Sequence, residues 1–218
     1  MGYCSYEHRI LLKGDKQLPT SWHEALYDFS VHGCGLTGQI PSELGLLSAI
    51  EYASFTSNSF SGRIPFLLWL TLGENSLEGE IPSELGPLSL LFEFDLRQNS
   101  LTGPIPSELG MIGSAGSGMW DFWLFANSLT GTIPSQLGEI PYLEFLELQD
   151  NDLSGSIPVE LVNLTVGLLK FNVSGNEMIT GLVPPELCYI NETHPLTFFE
   201  CTDKLCGCSC NCTDENAL

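Results

Sequence analysis

The stretch NSLTGPIPSELG at residues 99–110 recurs in altered form along most of the 218-residue chain. Close copies are NSLEGEIPSELG at 75–86, NSLTGTIPSQLG at 127–138 and GLTGQIPSELG at 35–45, and weaker copies begin at residues 58, 151 and 176. Four of the six intervals between the starting residues are 24 or 25 residues long, so the chain is an array of units of about 24 residues. The starting residues, which we call anchors, are Cys34, Asn58, Asn75, Asn99, Asn127, Asn151 and Asn176.

Apolar residues occupy fixed positions before each anchor, at offsets of eight, five and three residues, in all seven units. Near the anchor they alternate with other, mostly polar residues, which is the pattern of a β-strand with one buried face. One unit has too little apolar surface to fold alone, so neighbouring units must stack and share a core. The residues predicted to point inward are Leu26, Phe29, Val31, Ile50, Ala53, Phe55, Leu67, Leu70, Leu72, Leu91, Phe94, Leu96, Met119, Phe122, Leu124, Leu143, Leu146, Leu148, Leu168, Phe171 and Val173.

The pattern L-x-x-L-x-L-x-x-N-x-L-x-G-x-I-P over residues 26–190 resembles the plant-type leucine-rich repeat of secreted proteins and receptor ectodomains. The resemblance implies an α/β repeat solenoid, a right-handed coil with a parallel concave sheet of about seven short strands. It also implies a second small sheet on a flank and an irregular or 3-10 convex side. Because the end coils of a solenoid must be shielded from water, we expect an N-terminal cap at 1–25, the solenoid at 26–190 and a cysteine-rich cap at 191–218. The phrase LCGCSCNC at 205–212 resembles the caps of secreted repeat proteins of this type in unicellular algae.

The third unit is too short to form an ordinary coil. Only one residue separates Pro65 from Leu67, whereas eight residues separate Pro41 from Ile50 in the first unit. Two residue steps reach at most about 7 Å, and a coil must cross a core of about 10 Å. We therefore predict that the strand near residues 67–72 is strained, shortened or displaced.

The anchor side chain stands at the turn that leaves each strand, where backbone groups need hydrogen-bond partners. A small polar side chain can supply them by bonding the backbone of adjacent coils. Cys34 fills this position in the first unit, so we favour a structural role for Cys34 over a disulfide with Cys4.

Acidic residues dominate the charge of the chain. There are 27 Asp and Glu against seven Lys and Arg, which gives a formal net charge of −20. Such a surface repels phosphate backbones and anionic lipid heads, so we expect no nucleic-acid partner. The densest apolar stretch, IPFLLWLTL at 64–72, is nine residues long, below the 18 or more that a membrane helix needs, so we expect no membrane insertion.

Cysteine content and sequons favour an extracellular or cell-surface location, although residues 1–16 contain no apolar segment typical of a signal peptide. Of the eight cysteines, six lie in the last 31 residues, and fifteen pairings of these six are open. The disulfide candidates are Cys188, Cys201, Cys206, Cys208, Cys210 and Cys212, and the glycosylation candidates are Asn163, Asn172, Asn191 and Asn211. Asn172 is of most interest because it is predicted to point outward from the last strand.

The residues between the inward positions should face outward from the concave sheet. In the middle coils they are both aromatic and acidic, and an exposed aromatic patch usually marks a binding surface. Glu93 and Asp121 fall side by side on neighbouring strands, where like charges repel unless a partner relieves them. The predicted ligand-binding residues are Tyr52, Trp69, Glu93, Asp95, Arg97, Asp121, Trp123, Phe125, Phe145 and Glu147.

Two catalytic or metal-binding alternatives are weaker. Glu93 and Asp121 could approach the 5 to 5.5 Å separation of a retaining glycosidase pair, but an open sheet provides no pocket to exclude water. Asp95, Asp121, Glu147 and Asp150 supply oxygen ligands for calcium, but no D-x-D-x-D-G loop organises them. No phosphate loop or HExxH motif is present, so we predict a non-enzyme without catalytic residues, bound metal or cofactor.

Two functions remain after these exclusions. The first is an extracellular recognition module that binds a protein, peptide or glycan on the concave face. The second is a structural or surface-adsorbing secreted protein of a wall, mucilage or ice surface, which regular Ser and Thr columns would favour. We rank it second because the outward positions of the concave sheet vary too much along each column to match a lattice.

Overall fold

The computed structural model describes residues 28–40, 52–64, 70–88, 91–114, 119–188 and 198–200. They form two parallel sheets, one of eight strands and one of seven, in which neighbouring strands come from successive coils. The eight-stranded sheet contains, in order, β1 (Asp28–Ser30), β3 (Tyr52–Ser54), β5 (Leu70–Thr71), β7 (Glu93–Asp95), β9 (Asp121–Trp123), β11 (Phe145–Glu147), β13 (Lys170–Asn172) and β15 (Phe198–Glu200). The seven-stranded sheet contains β2 (Thr37–Gln39), β4 (Ser59–Gly62), β6 (Ser76–Gly79), β8 (Ser100–Pro104), β10 (Ser128–Thr132), β12 (Asp152–Gly155) and β14 (Met178–Ile179).

In the described coils from residue 83 onward, the third side is built from short helices. The 3-10 helices are Ser83–Leu85, Ser107–Met111, Ser135–Glu139 and Val159–Val166, and an α-helix, α1, spans Pro185–Cys188. The coils approach so closely here that a side chain at Gly110 would collide with the backbone carbonyl of Gln136 in the next coil. No helix in the described part of the chain is long and apolar enough to cross a membrane.

One continuous core fills the interior of the solenoid, as the repeat pattern predicts. Every predicted inward residue whose side chain the structure describes is buried, apart from Val31, which is partly buried. Leu26, Ile50 and Leu67 lie outside the described residues, as do the side chains of Phe29, Ala53 and Leu70. The rings of Phe94 and Phe122 stack with their centroids 5.0 Å apart, directly behind the middle strands of the eight-stranded sheet.

The anchor asparagines form a hydrogen-bonded ladder between coils, which confirms the role predicted for them. Asn151 accepts a bond from the backbone N of Leu129 at 3.0 Å, and its Nδ2 donates to the carbonyl oxygens of Leu124 and Leu148, both at 3.1 Å. The same pattern recurs from Asn58 to Asn176. Each amide thus satisfies backbone groups of its own coil and of the preceding coil.

The residue before each anchor adopts a left-handed backbone conformation, which the sequence analysis did not predict. Such a conformation is unfavourable for residues with a Cβ. The turn nevertheless imposes it on Ser57, Glu74, Gln98, Ala126 and Asp150, with φ between 51° and 58°.

The third unit keeps its place in the solenoid. The described part of its strand, β5, pairs on both sides, with Ser54 opposite Thr71 and Thr71 opposite Asp95. Residues 65–69 lie outside the described part of the chain, so the expectation of a strained, shortened or displaced strand near residues 67–72 stays a prediction.

The structure corrects two expectations at the ends of the array. The sheet has eight strands rather than about seven, because β15 comes from the segment predicted as the C-terminal cap and pairs with β13. Cys34 is disulfide-bonded, whereas we favoured a structural role over a disulfide with Cys4. The two roles are compatible, since the backbone N of Cys34 still donates to Asn58 Oδ1 at 3.1 Å.

Candidate functional site

The face of the eight-stranded sheet that points away from the core, which we call the outer face, carries two columns of predicted ligand-binding residues. In the first column, Glu93 lies opposite Asp121, and Asp121 lies opposite Phe145. In the second column, Asp95 lies opposite Trp123, and Trp123 lies opposite Glu147. The regular register of the coils thus brings residues from distant parts of the sequence together on strands β7, β9 and β11.

Arg97 is at the centre of this surface and is fully engaged with neighbouring side chains. Its Nη1 lies 3.0 Å from Asp95 Oδ2, and its Nη2 lies 3.1 Å from Glu74 Oε1. The Cζ atom stands 4.9 Å from the ring centroid of Trp123 and 6.0 Å from that of Phe125. Arg97 therefore fixes two carboxylates and two aromatic rings in one arrangement before any partner binds.

Asp95 was predicted to face a ligand, but it is buried, with 1% of its surface exposed. The reason lies on the adjacent coil, where Gly73 has no side chain and leaves space that the Asp95 carboxylate occupies. Burial raises the pKa of Asp95 from 3.8 to about 7, although Arg97 opposes this shift through its charge and its backbone N–H. Asp95 is therefore a positioning residue for Arg97.

Glu93 and Asp121 face each other across β7 and β9, as predicted, and neither forms an ion pair with a described residue. Burial, opposed by the charge of Arg97, raises the pKa of Glu93. Burial and then the charges of Glu93, Glu144 and Glu147 raise the pKa of Asp121 to about 6. This pair of carboxylates is thus partly dehydrated, and its charge is not balanced locally.

The predicted aromatic residues are less exposed than the sequence suggested. Trp123, Phe125 and Phe145 are each half-buried, because Arg97 and neighbouring strands cover part of the first two rings. The indole Nε1 of Trp123 and the Oε1 of Gln149 are buried and have no hydrogen-bond partner among the described residues. An unsatisfied buried polar atom costs about 1–3 kcal/mol.

Glu147 closes the surface on its other side. Its Oε2 accepts bonds from Lys170 Nζ and from Gln149 Nε2, both at 3.0 Å. Arg97 and Lys170, the two cations on the described outer face from β7 to β13, are therefore both paired with carboxylates of the protein itself.

Phe92 and Trp120 belong to the same surface, and the sequence analysis missed them. They are 42% and 50% exposed, and their ring centroids are 6.3 Å apart. Each residue stands seven positions before its anchor, immediately before a strand. The equivalent position holds Glu144 in the next coil, so a search for aromatic residues at a shared offset could have found the pair.

Other site predictions have different outcomes. Trp69 and the side chain of Tyr52 lie outside the described residues. Asn172 was a glycosylation candidate predicted to point outward from the last strand, but only 3% of the residue is exposed and its strand pairs with β15. Its Oδ1 instead accepts bonds from the backbone N and the hydroxyl of Ser174.

Asn163 is exposed on a 3-10 helix and remains a glycosylation candidate, whereas Asn191 and Asn211 lie outside the described residues. The disulfide candidates from Cys201 onward and the side chain of Cys188 lie outside them too.

Two cavities in the described part of the chain, of about 770 and 860 Å³, are away from the outer face. They lie between the seven-stranded sheet and the 3-10 helices, and residues such as Glu80, Pro106 and Thr132 line them. Among the described residues, no three His, Cys, Asp or Glu side chains come together in an arrangement that could hold a metal ion. The outer face itself is an open surface, whose rings and charges are suited to binding.

Residues 90–112 and 142–164 match the family model described as Leucine Rich Repeat. No curated protein matches the chain. One similar solved structure is the leucine-rich-repeat ectodomain of the plant membrane receptor kinase GASSHO1/SCHENGEN3 from Arabidopsis thaliana, in complex with CASPARIAN STRIP INTEGRITY FACTOR 2. It is 33% identical, with a TM-score of 0.65 and coverage of 71% of this chain and 19% of that chain.

Two further structures extend the comparison. The plant peptide hormone receptor RGFR1, in complex with RGF2, is 31% identical with a TM-score of 0.66, over 76% of this chain and 26% of that chain. Pollen Receptor Kinase 3 is 28% identical with a TM-score of 0.61, over 71% of this chain and 76% of that chain. This chain thus spans only about a fifth to a quarter of the first two proteins.

Proposed function

Because the chain is a leucine-rich-repeat protein of the plant type, we propose that it is a non-catalytic extracellular recognition module. It binds a protein or peptide partner through the outer face of its eight-stranded sheet. Two of the similar structures are complexes with a bound partner, CASPARIAN STRIP INTEGRITY FACTOR 2 in one and RGF2 in the other, which supports a partner of this kind.

The observation that carries the proposal is the arrangement around Arg97. Ion pairs to Asp95 and Glu74 hold the guanidinium over Trp123, so rings and carboxylates are ordered in the free protein. A partner then does not have to supply the free energy of ordering these side chains, a cost of about 0.5–1.5 kcal/mol each.

A double substitution in the outer face tests this proposal. Wild-type protein, Trp123→Ala/Phe145→Ala and the control Val159→Ala/Leu182→Ala are each immobilised and exposed to the secreted proteins of the source organism and to a glycan array. Val159 and Leu182 are 62% and 73% exposed and lie outside the outer face, so the control removes a similar amount of apolar surface elsewhere. Captured proteins are then purified and their Kd values measured.

We expect a defined protein or peptide to bind the wild type and the control but not the outer-face variant, with both variants still unfolding in a single cooperative thermal transition. A ligand that bound all three proteins equally, or a glycan as the specific ligand, would contradict the proposal of a protein or peptide partner on this face.

The seven-stranded sheet favours a second candidate, the structural or surface-adsorbing function. Hydroxyl groups recur across its strands, with exposed Ser128 opposite exposed Thr102 in β8 and exposed Thr132 opposite partly buried Ser154 in β12. Adsorption to cellulose or ice that was lost in Thr102→Glu/Thr130→Glu and unchanged in Trp123→Ala/Phe145→Ala would favour this candidate. The same assay therefore separates the two sheets as functional surfaces.

A further inference from the structure

The rings of Phe92 and Trp120 form an exposed apolar patch at the edge of the outer face. Of the ring pairs between described residues, this is the one in which both rings are exposed. Their planes are inclined by 54°, and the backbone N of Trp120 donates to the Phe92 carbonyl at 2.9 Å, which holds the two coils in register. Exposed apolar area costs about 25 cal/mol per Å², and adjacent exposed rings usually mark an interaction surface.

Uncompensated carboxylates border this patch along the strands. Glu93 and Asp121 directly follow Phe92 and Trp120 in the sequence, and the backbone N of Glu144 donates to the Trp120 carbonyl at 3.0 Å. None of the three carboxylates forms an ion pair with a described residue. Arg97 and Lys170 contact other carboxylates, so the negative charge beside the rings is not balanced by the outer face itself.

We propose that Phe92, Trp120, Glu93, Asp121 and Glu144 form a docking surface for a cationic segment of a partner polypeptide, in which Lys or Arg alternates with apolar residues. The apolar side chains cover the two rings, and the cationic groups pair with the carboxylates. This inference rests on the proposed recognition function and specifies the chemistry of its partner.

Charge complementarity decides between possible occupants. An anionic segment would meet three carboxylates, and a neutral apolar segment would bury Glu93 and Asp121 without compensation, at a cost that grows with their dehydration. A cationic group relieves both problems, and it also gains cation–π contact with an adjacent indole or phenyl ring. Burial already raises the pKa of Glu93, and it raises that of Asp121 to about 6, so pairing Asp121 with a cation should release a proton near pH 6.

The test uses a phage library of random dodecapeptides panned against the whole immobilised chain. We expect wild-type protein to enrich peptides in which Lys or Arg alternates with Leu, Ile, Phe or Trp, and their affinity to fall with added salt. A synthetic copy of the most enriched peptide is then the probe for Kd measurements on the variants.

Two variants remove the two halves of the surface, each with a matched control. Phe92→Ser/Trp120→Ser removes the rings, and Val159→Ser/Leu182→Ser is its control among other exposed apolar residues. Glu93→Gln/Asp121→Asn removes the charges, and its control at exposed carboxylates elsewhere is Glu84→Gln/Glu160→Gln. We expect each test variant to weaken binding at least about tenfold and each control to change it less than about twofold, with every variant still unfolding in a single cooperative thermal transition.

The outcomes separate this inference from the proposed function. Enrichment of acidic or uncharged peptides whose binding needs Trp123 and Phe145 would overturn the cationic docking surface and leave the recognition function standing. If no enriched peptide bound the wild type more tightly than it bound Trp123→Ala/Phe145→Ala and Phe92→Ser/Trp120→Ser, two proposals would fail for peptide partners. These are the cationic docking surface and the recognition function of the outer face.

Discussion

The Asp95 carboxylate forms two bonds with Arg97, which lies two residues later in the sequence. The guanidinium Nη1 of Arg97 lies 3.0 Å from Asp95 Oδ2, and the backbone N of Arg97 donates to Asp95 Oδ1 at 3.1 Å. Because the carboxylate is buried, Arg97 is drawn across the outer face, where it stacks on Trp123. The ion pair with Asp95 thus holds Arg97 in the position that orders the side chains of the outer face.

Replacing Arg97 by Lys should disorder this surface while keeping the charge. A lysine ammonium cannot bond two carboxylates in the planar arrangement of a guanidinium and stacks less well on an indole. We expect Arg97→Lys to weaken partner binding about tenfold or more and to shift the tryptophan fluorescence of the free protein. The exposed Arg63 provides the matched control, and Arg63→Lys should change neither the Kd nor the emission spectrum.

Gly73 should be required for the position of Asp95. A Cβ at Gly73 would lie 2.5 Å from both oxygens of the Asp95 carboxylate, closer than atoms can approach, so Gly73→Ala must displace Asp95 and with it Arg97. We expect a loss of about 1–3 kcal/mol in the free energy of unfolding by urea, together with weaker partner binding. Gly167→Ala is the control, because a Cβ there meets its nearest atoms at 3.6 Å. Equal stability of the two variants would show that Asp95 does not depend on the space at Gly73.

The repeat pattern predicts the fold well because each position has the same surroundings in every coil. The inward residues and the anchor ladder both follow from local spacing and from the need to satisfy backbone groups between coils. In contrast, β15 lies in a segment without the repeat, so no periodic signal identifies it.

The outer face is less predictable because the environment of each side chain depends on the coil beside it. The sequence places Asp95 on this face, but its burial is caused by Gly73, which lies 22 residues earlier on the adjacent coil. Alternation likewise identifies Glu93 and Asp121 as neighbours, but it does not reveal that Phe92 and Trp120 remain exposed beside them. Register between coils, rather than pattern within one coil, determines these contacts.

The asparagine ladder should make a large contribution to stability. Asn151 is 6% exposed, and its loss would leave the Leu129 N–H and the Leu124 and Leu148 carbonyls without that partner inside the protein. We expect Asn151→Ala to lower the free energy of unfolding by about 2–4 kcal/mol, measured by urea titration. The control is Asn163→Ala at an exposed asparagine, which should change it by less than about 0.5 kcal/mol. A small effect of Asn151→Ala would mean that water replaces the hydrogen bonds of the amide without a loss of stability.

Asp121 should make stability depend on pH. Its pKa is raised from 3.8 to about 6 in the folded protein, first by burial and then by the charges of Glu93, Glu144 and Glu147. Between about pH 4 and 6 the folded chain therefore keeps a proton that the unfolded chain has released, so this residue makes the free energy of unfolding fall as pH rises through that window.

Removing the charge at Asp121 should restore the free energy of unfolding that is lost as pH rises. We expect Asp121→Asn to raise the free energy of unfolding at pH 8 by about 1 kcal/mol, a value reduced by solvent screening of a half-buried group, and to change it little at pH 4. Urea titrations at both pH values, with Asp152→Asn at an exposed aspartate as the control, measure the difference. An Asp121→Asn effect of the same size at pH 4 and pH 8 would show that the Asp121 carboxylate is not destabilised in the folded state. In that case the repulsion that a cationic partner is proposed to relieve would be absent.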